Sequence, residues 1–391
     1  VVIRNGGYWY TDYGTQVVLG RSAGSHGVVN MSGGDWMVRG AVYIGSGGAG
    51  TVNLTGGTMT VEADGDLIFG GQGKFILDGG TLDLQSSEQL PDPDTFEFRS
   101  GTLSVRYEAY WADAVVNDAC TLSLYHSRLG VDTLTATAGS TVTVGELSGL
   151  HVYSNGFASF QNAVSLHPTS RITLSEGAQL SHTVHTLELN GATVSGQGPG
   201  GQVVVGQAGV NLGTSAAPGR LEGQEIWEPL DPEGYEWELV GYEPLVLYGD
   251  VFGCGTLTGV TVYGNVHVGN EPGGLTLAYV DLGCATVGME VGAPLAGPDG
   301  LVICEGDTTF ASAGVRVTFA GGYEPERGDA FQLFSTAEGE DLAAMLAGCL
   351  LSLPENCSLD TSSGTMVFAP EPSTLALLAA AGLWLLRRRR G

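Results

Sequence analysis

An all-β fold, a right-handed parallel β-helix (β-solenoid), is what three observations in this 391-residue chain predict, and its tail adds one short C-terminal transmembrane helix. Gly supplies 63 residues, more than twice ordinary usage of roughly 7%. Apolar and polar residues alternate over short runs bounded by Gly, the period of a strand with one buried face. Finally, Gly-Gly pairs recur at a fixed interval: Gly33-Gly34, Gly56-Gly57 and Gly79-Gly80 are equally spaced along the chain. Periods of roughly 20 to 50 residues, into which this interval falls, signify stacked or radial arrays in which one unit cannot bury its apolar face alone.

Each repeat has the same internal grammar. Val29 and Met31 precede the first pair and Trp36 and Val38 follow it, as Val52, Leu54, Met59 and Val61 frame the second and Phe75, Leu77, Leu82 and Leu84 the third. The step from Leu54 to Met59 is odd, and would turn a regular strand inside out. The Gly pair must therefore reset the pleat at a corner, using the positive φ that other residues avoid. A shorter apolar strand ending in Gly precedes each copy, at Val18-Leu19-Gly20, Tyr43-Ile44-Gly45 and Ile68-Phe69-Gly70. Related copies fit at Gly6-Gly7 and at Ser100-Gly101. A β-sandwich or a propeller is the alternative, although propeller blades repeat at about 40 residues or more.

The chain opens on Val1 in what reads as the middle of a repeat, so it is expected to be a fragment or a processed form. No basic segment followed by an apolar run marks a leader at this end. Beyond Val105 the repeat degrades, but strand-like runs such as Thr141-Val142-Thr143-Val144 and Gln202-Val203-Val204-Val205 carry the predicted solenoid over residues 1–219. Residues 220–250 are rich in Glu, Trp and Tyr and read as an acidic, aromatic excursion. The β pattern returns over residues 251–368, and residues 369–391 form a separate tail.

Charge excludes one class of partner. Lys and Arg number 15 against 42 Asp and Glu, for a net charge of −27, the wrong sign for nucleic-acid phosphate contacts. With 14 Tyr, 12 Phe and 6 Trp, the body has ample apolar surface to fold.

Several side-chain groups have the makings of chemistry. Glu62, Asp64 and Asp66 alternate and would put three carboxylates on one strand face, a set that could hold Ca²⁺ or act as acid and base; a solvated turn around Gly65 is the preferred reading. Asp92 and Asp94 alternate with Pro91 and Pro93 and mark a rigid loop. His182 and His185 have a metal-ligand spacing for a helix, but on a strand they face opposite sides and read as solvent or core residues. Cys349 and Cys357 permit a disulfide closing a short hairpin, while Cys254, Cys284 and Cys304 read as core residues stacked at turn-like intervals. Trp227, Tyr235 and Trp237 are the candidate glycan contacts, because aromatic faces flanked by carboxylates suit sugar rings. No cofactor, metal or catalytic residue is predicted.

The tail has three parts in order: Pro370-Glu371-Pro372, an apolar stretch from Leu375 to Leu386, and Arg387, Arg388, Arg389 and Arg390. Residues 373–386 would make a helix of about 21 Å, short of the roughly 30 Å hydrocarbon core. The arginines would stay on the cytoplasmic side. This tail resembles the PEP-CTERM sorting signal of Gram-negative bacteria. The resemblance implies recognition and cleavage by an exosortase-like membrane protease, transient contact with the inner membrane, and delivery to the cell surface or extracellular matrix. The Gly-rich repeats, together with Gly322-Tyr323-Glu324-Pro325 and Gly328-Asp329-Ala330-Phe331-Gln332-Leu333-Phe334, are similar to autotransporter-associated β-strand repeat proteins, whose exported regions are β-solenoids. The function expected is that of an exported structural or adhesive protein, not an enzyme, with surface polysaccharide or host glycan as candidate partners. The alternative is a β-helix polysaccharide lyase or glycoside hydrolase.

Overall fold

In a computed structural model the structure describes residues 1–368, apart from 92–93, 215, 230–236, 269–273, 283–284, 292–301, 307, 311–312, 320–322, 327 and 337–340. The expected sorting motif and transmembrane segment, Pro370 to Arg390, lie outside the described residues. Among those described, no helix is long and apolar enough to cross a membrane.

The body is a parallel β-solenoid whose described strands fall on three faces. The first face is made by the leading halves of the long strands His26–Val38, Ala49–Val61, Gly73–Leu84 and Phe96–Val105. It continues through Asp113–Val116, the trailing halves of Arg128–Ala136 and Gly149–Phe160, Gln179–His182, Gln202–Val205, Leu245–Tyr248 and Val260–Tyr263. The second face takes the trailing halves of the first four long strands, then Cys120–Leu124, Thr141–Val144 and Val164–Leu166. It runs on through Leu187–Glu188, Val210–Asn211, Val251–Phe252, Val266–Val268, Thr286–Val291 and Gly314–Phe319. The third face begins with Gln16–Leu19, Ala41–Ile44 and Asp66–Phe69. It resumes with Glu88–Leu90, Glu108–Trp111 and the leading halves of Arg128–Ala136 and Gly149–Phe160, and then Arg171–Ser175, Thr193–Gln197, Ala217–Glu222, Gly255–Thr258, Leu275–Ala278, Val302–Glu305 and Phe334–Thr336.

Stacking follows the repeat. Val29 pairs with Val52 and Val52 with Phe75, and on the other side of the corner Trp36 pairs with Met59 and Met59 with Leu82, all in parallel register. Every one of these side chains is buried. The corner supplies the pleat reset that the odd step requires: Gly34 and Gly57 adopt φ of 77° and 80°. A Cβ on Gly57 would lie 2.3 Å from the Gly34 carbonyl oxygen, so adjacent corners touch through backbone and only Gly fits.

Inward rows from all three faces merge into one hydrophobic core running the length of the body. It holds Trp36 stacked on Trp9 at 4.4 Å, and Phe96 set edge-on to Trp111 at 5.4 Å. The Trp36 Nε1–H donates to Thr11 Oγ1 at 3.1 Å, which satisfies the polar edge of a ring that is otherwise fully buried.

Within residues 220–250, read as an excursion, an antiparallel hairpin leaves the coil, while residues 220–222 and Leu245–Tyr248 at the two ends pair in the parallel ladders. Gln224–Pro229 pairs with Trp237–Glu243, leaving the coil after the third face and rejoining it at Leu245. Beyond it the coil continues, and a three-stranded antiparallel sheet with the short helix Leu342–Met345 joins the last turns, packing Phe331, Met366 and Leu342 into the core. The cysteines differ from expectation. Cys349 and Cys357 are free thiols, because the strand after Cys349 joins the parallel second face while Cys357 opens a strand of the antiparallel sheet. Cys254 and Cys304 are buried, yet they share no row: Cys304 stacks on Leu277, and Cys254 sits at a corner before Gly255. Cys284 lies outside the described residues.

Candidate functional site

The acidic triplet does not form a carboxylate cluster on one strand. Val61 ends its strand, Glu62 to Gly65 make a turn closed by the Gly65 N–H donating to the Glu62 carbonyl at 2.8 Å, and Asp66 opens the next strand. The three carboxylates therefore splay around a corner, the solvated turn preferred on sequence. Arg39, one turn earlier, ion-pairs with Glu62 and lies over the Tyr10 and Tyr13 rings at 5.5 and 5.6 Å. Asp64 beside the Tyr13 hydroxyl holds that phenol above its ordinary value. Other carboxylates act likewise between turns. Asp83 accepts from Arg106 Nε at 2.8 Å, and Glu97 pairs with Lys74 and Arg99. Among the described residues no group of three His, Cys, Asp or Glu side chains is disposed to hold a metal. Asp94 is exposed on a turn, and Asp92 lies outside the described residues.

His182 takes an inward position on the first face, fully buried, beside Val205 and near Phe160. Its Nδ1 lies 2.7 Å from the His185 carbonyl oxygen and its Nε2 3.0 Å from that of Asn162. Both ring nitrogens are thus occupied by backbone, whereas the His185 side chain is exposed.

Of the candidate glycan contacts, Trp227 is 48% exposed on the hairpin, with its Nε1–H donating to Glu225 at 2.9 Å. The Trp237 backbone pairs with Pro229 across the hairpin, and Tyr235 lies outside the described residues. At the hairpin base Tyr242 packs on Tyr279 at 5.0 Å.

A further concavity lies elsewhere, an open groove of about 700 Å³ on the outward side of the third face. Two outward rows build it. In ladder order one row reads Glu108, Arg128, Gly149, Arg171, Thr193, Arg220, and its neighbour reads Tyr110, Gly130, His151, Thr173, Ser195, Glu222. Arg171 Nη2 sits 3.1 Å from Glu222 Oε2. Burial, and secondarily the charge of Arg128, keep His151 below its ordinary value, while its Nε2 contacts Ser175 Oγ at 2.9 Å. Tyr110 is pushed up to about 12, first by its hydrogen bond to Asp132 and then by burial. The signal for this row was present in the sequence: outside the terminal tetra-Arg, Lys and Arg are scarce in the chain, and three arginines fall in one row at two-turn intervals. It becomes visible only when the chain is written out turn by turn with the register of the degraded repeats known.

The chain matches no protein-family model and no curated protein in sequence, so its assignment is to a fold, the parallel β-solenoid, whose outward ladders hold its candidate sites.

Proposed function

We propose that this chain is an exported, non-enzymatic surface or extracellular-matrix rod with a structural or adhesive role. In this reading the coil is right-handed, in keeping with the strong preference of parallel strand crossovers. An exosortase-like protease recognises Pro370, Glu371 and Pro372 after the tetra-Arg end has halted the chain in the inner membrane, and the processed body is released to the cell surface.

One observation carries the structural part of this reading: outward carboxylates are engaged as ties between turns, Glu62 to Arg39 and Asp83 to Arg106. A catalytic carboxylate needs freedom to exchange a proton with substrate, and these are occupied. The acidic exterior keeps such a rod soluble and separated from like-charged neighbours. The test is mass spectrometry of the C-terminal peptide from surface-displayed protein. Loss of residues 387–390 is expected; recovery of the intact tetra-Arg end at the surface overturns the sorting reading.

A further inference from the structure

Glycine serves two purposes in this solenoid. At the corners it is demanded by backbone: Gly34, Gly57 and Gly101 have φ of 77°, 80° and 98°, and a Cβ on any of them would lie within 2.3 Å of a neighbouring carbonyl oxygen. Gly149 obeys neither constraint. The nearest atom to its would-be Cβ is the Arg171 carbonyl oxygen at 3.6 Å, an ordinary contact, and its φ is not positive. Gly within a strand weakens it by roughly 0.5–1 kcal/mol relative to Ala, and the backbone gives no reason for one here. Its effect is to leave a gap between Arg128 and Arg171, which lie two ladder steps, or about 9.6 Å, apart. The arrangement recurs on the second face, where Gly288, also free to carry a Cβ, separates His267 from Arg316.

We propose that the groove over Gly149 binds a saccharide carrying a single carboxylate, gripped between Arg128 and Arg171. The proposal rests on the adhesive part of the reading above and names its ligand class. Two guanidinium forks across a gap match the bidentate geometry of a carboxylate. Arg171 is oriented by Glu222, whereas Arg128 has no carboxylate within ion-pair distance among the described residues. An unpaired cation in a chain of net charge −27 is a local exception to the surrounding field. Glu108 at the next ladder position, and Glu146 at 3.6 Å from His126 on the rim, disfavour a second negative charge on the ligand.

A sugar fits the rest of the lining. Tyr107 lines the groove with a ring 61% exposed, suited to stacking on a pyranose face, and Tyr153, outside the lining but 40% exposed, packs beside the lining residue His151 at 4.6 Å. Thr169 supplies a hydroxyl at the rim. In the groove wall the buried Ser127 hydroxyl has no hydrogen-bond partner, a deficit that a ligand oxygen would relieve after a rotamer change. The groove is open along the coil, which admits one unit of a longer glycan.

The test is calorimetric titration of the full chain with a glucuronate-terminated disaccharide, its carboxyl-reduced counterpart, and sodium acetate. The uronate sugar is expected to bind at least about tenfold more tightly than either control. Gly149→Thr, which fills the gap, and Arg128→Gln, which removes the unpaired arm, should each weaken binding by about tenfold or more. Gly149→Thr should leave the unfolding temperature unchanged or raised, because a β-branched residue suits the strand; should it unfold the chain, Arg128→Gln carries the test alone. Absence of binding by the wild-type chain, wild-type affinity in Arg128→Gln, or acetate binding as tightly as the sugar each overturns the proposal. None of these results bears on the C-terminal processing of surface protein, so failure here and failure of the sorting reading are told apart.

Discussion

The two ends of the solenoid solve the same packing problem with different regularity. Near the N-terminus successive turns have equal length, from Val29 to Val52 and from Val52 to Phe75, so that corners superpose on corners. Toward the C-terminus the step from Val251 to Val266 is much shorter than these, while that from Val287 to Val315 is nearly double it. Yet Val251, Val266, Val287 and Val315 are all buried, aligned in one inward row. What the coil needs from each turn is thus an inward apolar pair on each face. The length between pairs is free because corners lie outside the core, where a loop must satisfy only its own backbone.

The turn containing the hairpin sharpens this. From Val210 to Val251 the chain covers about twice the length of an ordinary turn, and the hairpin with its loop, residues 224–243, accounts for the excess. What is left without them equals an ordinary turn of this chain, that from Phe75 to Phe96.

The largest effect expected from breaking the comparison is at a regular corner. Gly57→Val introduces both a strained φ and a backbone clash, and should destabilise the N-terminal turns by about 3 kcal/mol or more. Hydrogen exchange should then report faster opening of residues 49–84 while the turns beyond residue 245 keep their protection. Uniform loss of protection along the whole body would mean that the coil folds as one unit. Next comes the core of a regular turn. Leu54→Ala, at a fully buried position, should lower stability by roughly 2–5 kcal/mol in denaturant titration. An effect below about 1 kcal/mol would mean that neighbouring turns close the cavity.

Charge between turns is expected to matter less. Glu97 is held below its ordinary value of 4.5, first by the hydrogen bond from Lys74 and further by Arg99, against the opposing effect of burial. A carboxyl lowered in the folded state stabilises the fold above its unfolded value, and that contribution is lost as pH falls through the folded one. Lys74→Met should accordingly reduce stability at pH 7 by no more than about 1 kcal/mol, and its difference from wild type should shrink as the solution is acidified below pH 4.5. A difference that persists undiminished at pH 2 would assign the effect to the Lys74 alkyl stem instead. The smallest effect belongs to the hairpin. Replacing residues 224–243 with a minimal turn should leave the unfolding midpoint within about 1 kcal/mol of wild type, since Gln224 and Glu243 are already paired neighbours. Collapse of the coil on this deletion would make the hairpin part of the fold.

How much was legible in the sequence follows the same division. The Gly-Gly period located the N-terminal corners and the inward residues beside them, since an exact repeat puts equivalent positions in contact whatever the corner's shape. The groove was not legible. Its rows cross turns of unequal length, Arg128 to Gly149 and Gly149 to Arg171, and without that register nothing in the sequence brings the two arginines to either side of one glycine. The acidic triplet looked continuous because alternation is counted along the chain. In the fold the chain bends between Glu62 and Asp66, and Glu62 meets Arg39 from the turn before.

The sequence by itself determined the solenoid, because strand period, Gly corners and turn repeat are local patterns that admit few ways to bury their apolar faces. Only the tertiary structure decided which outward side chains face one another. Those contacts run between turns, one or two repeats apart in the chain and one or two ladder steps of about 4.8 Å apart in space, and each depends on the length of every corner lying between them.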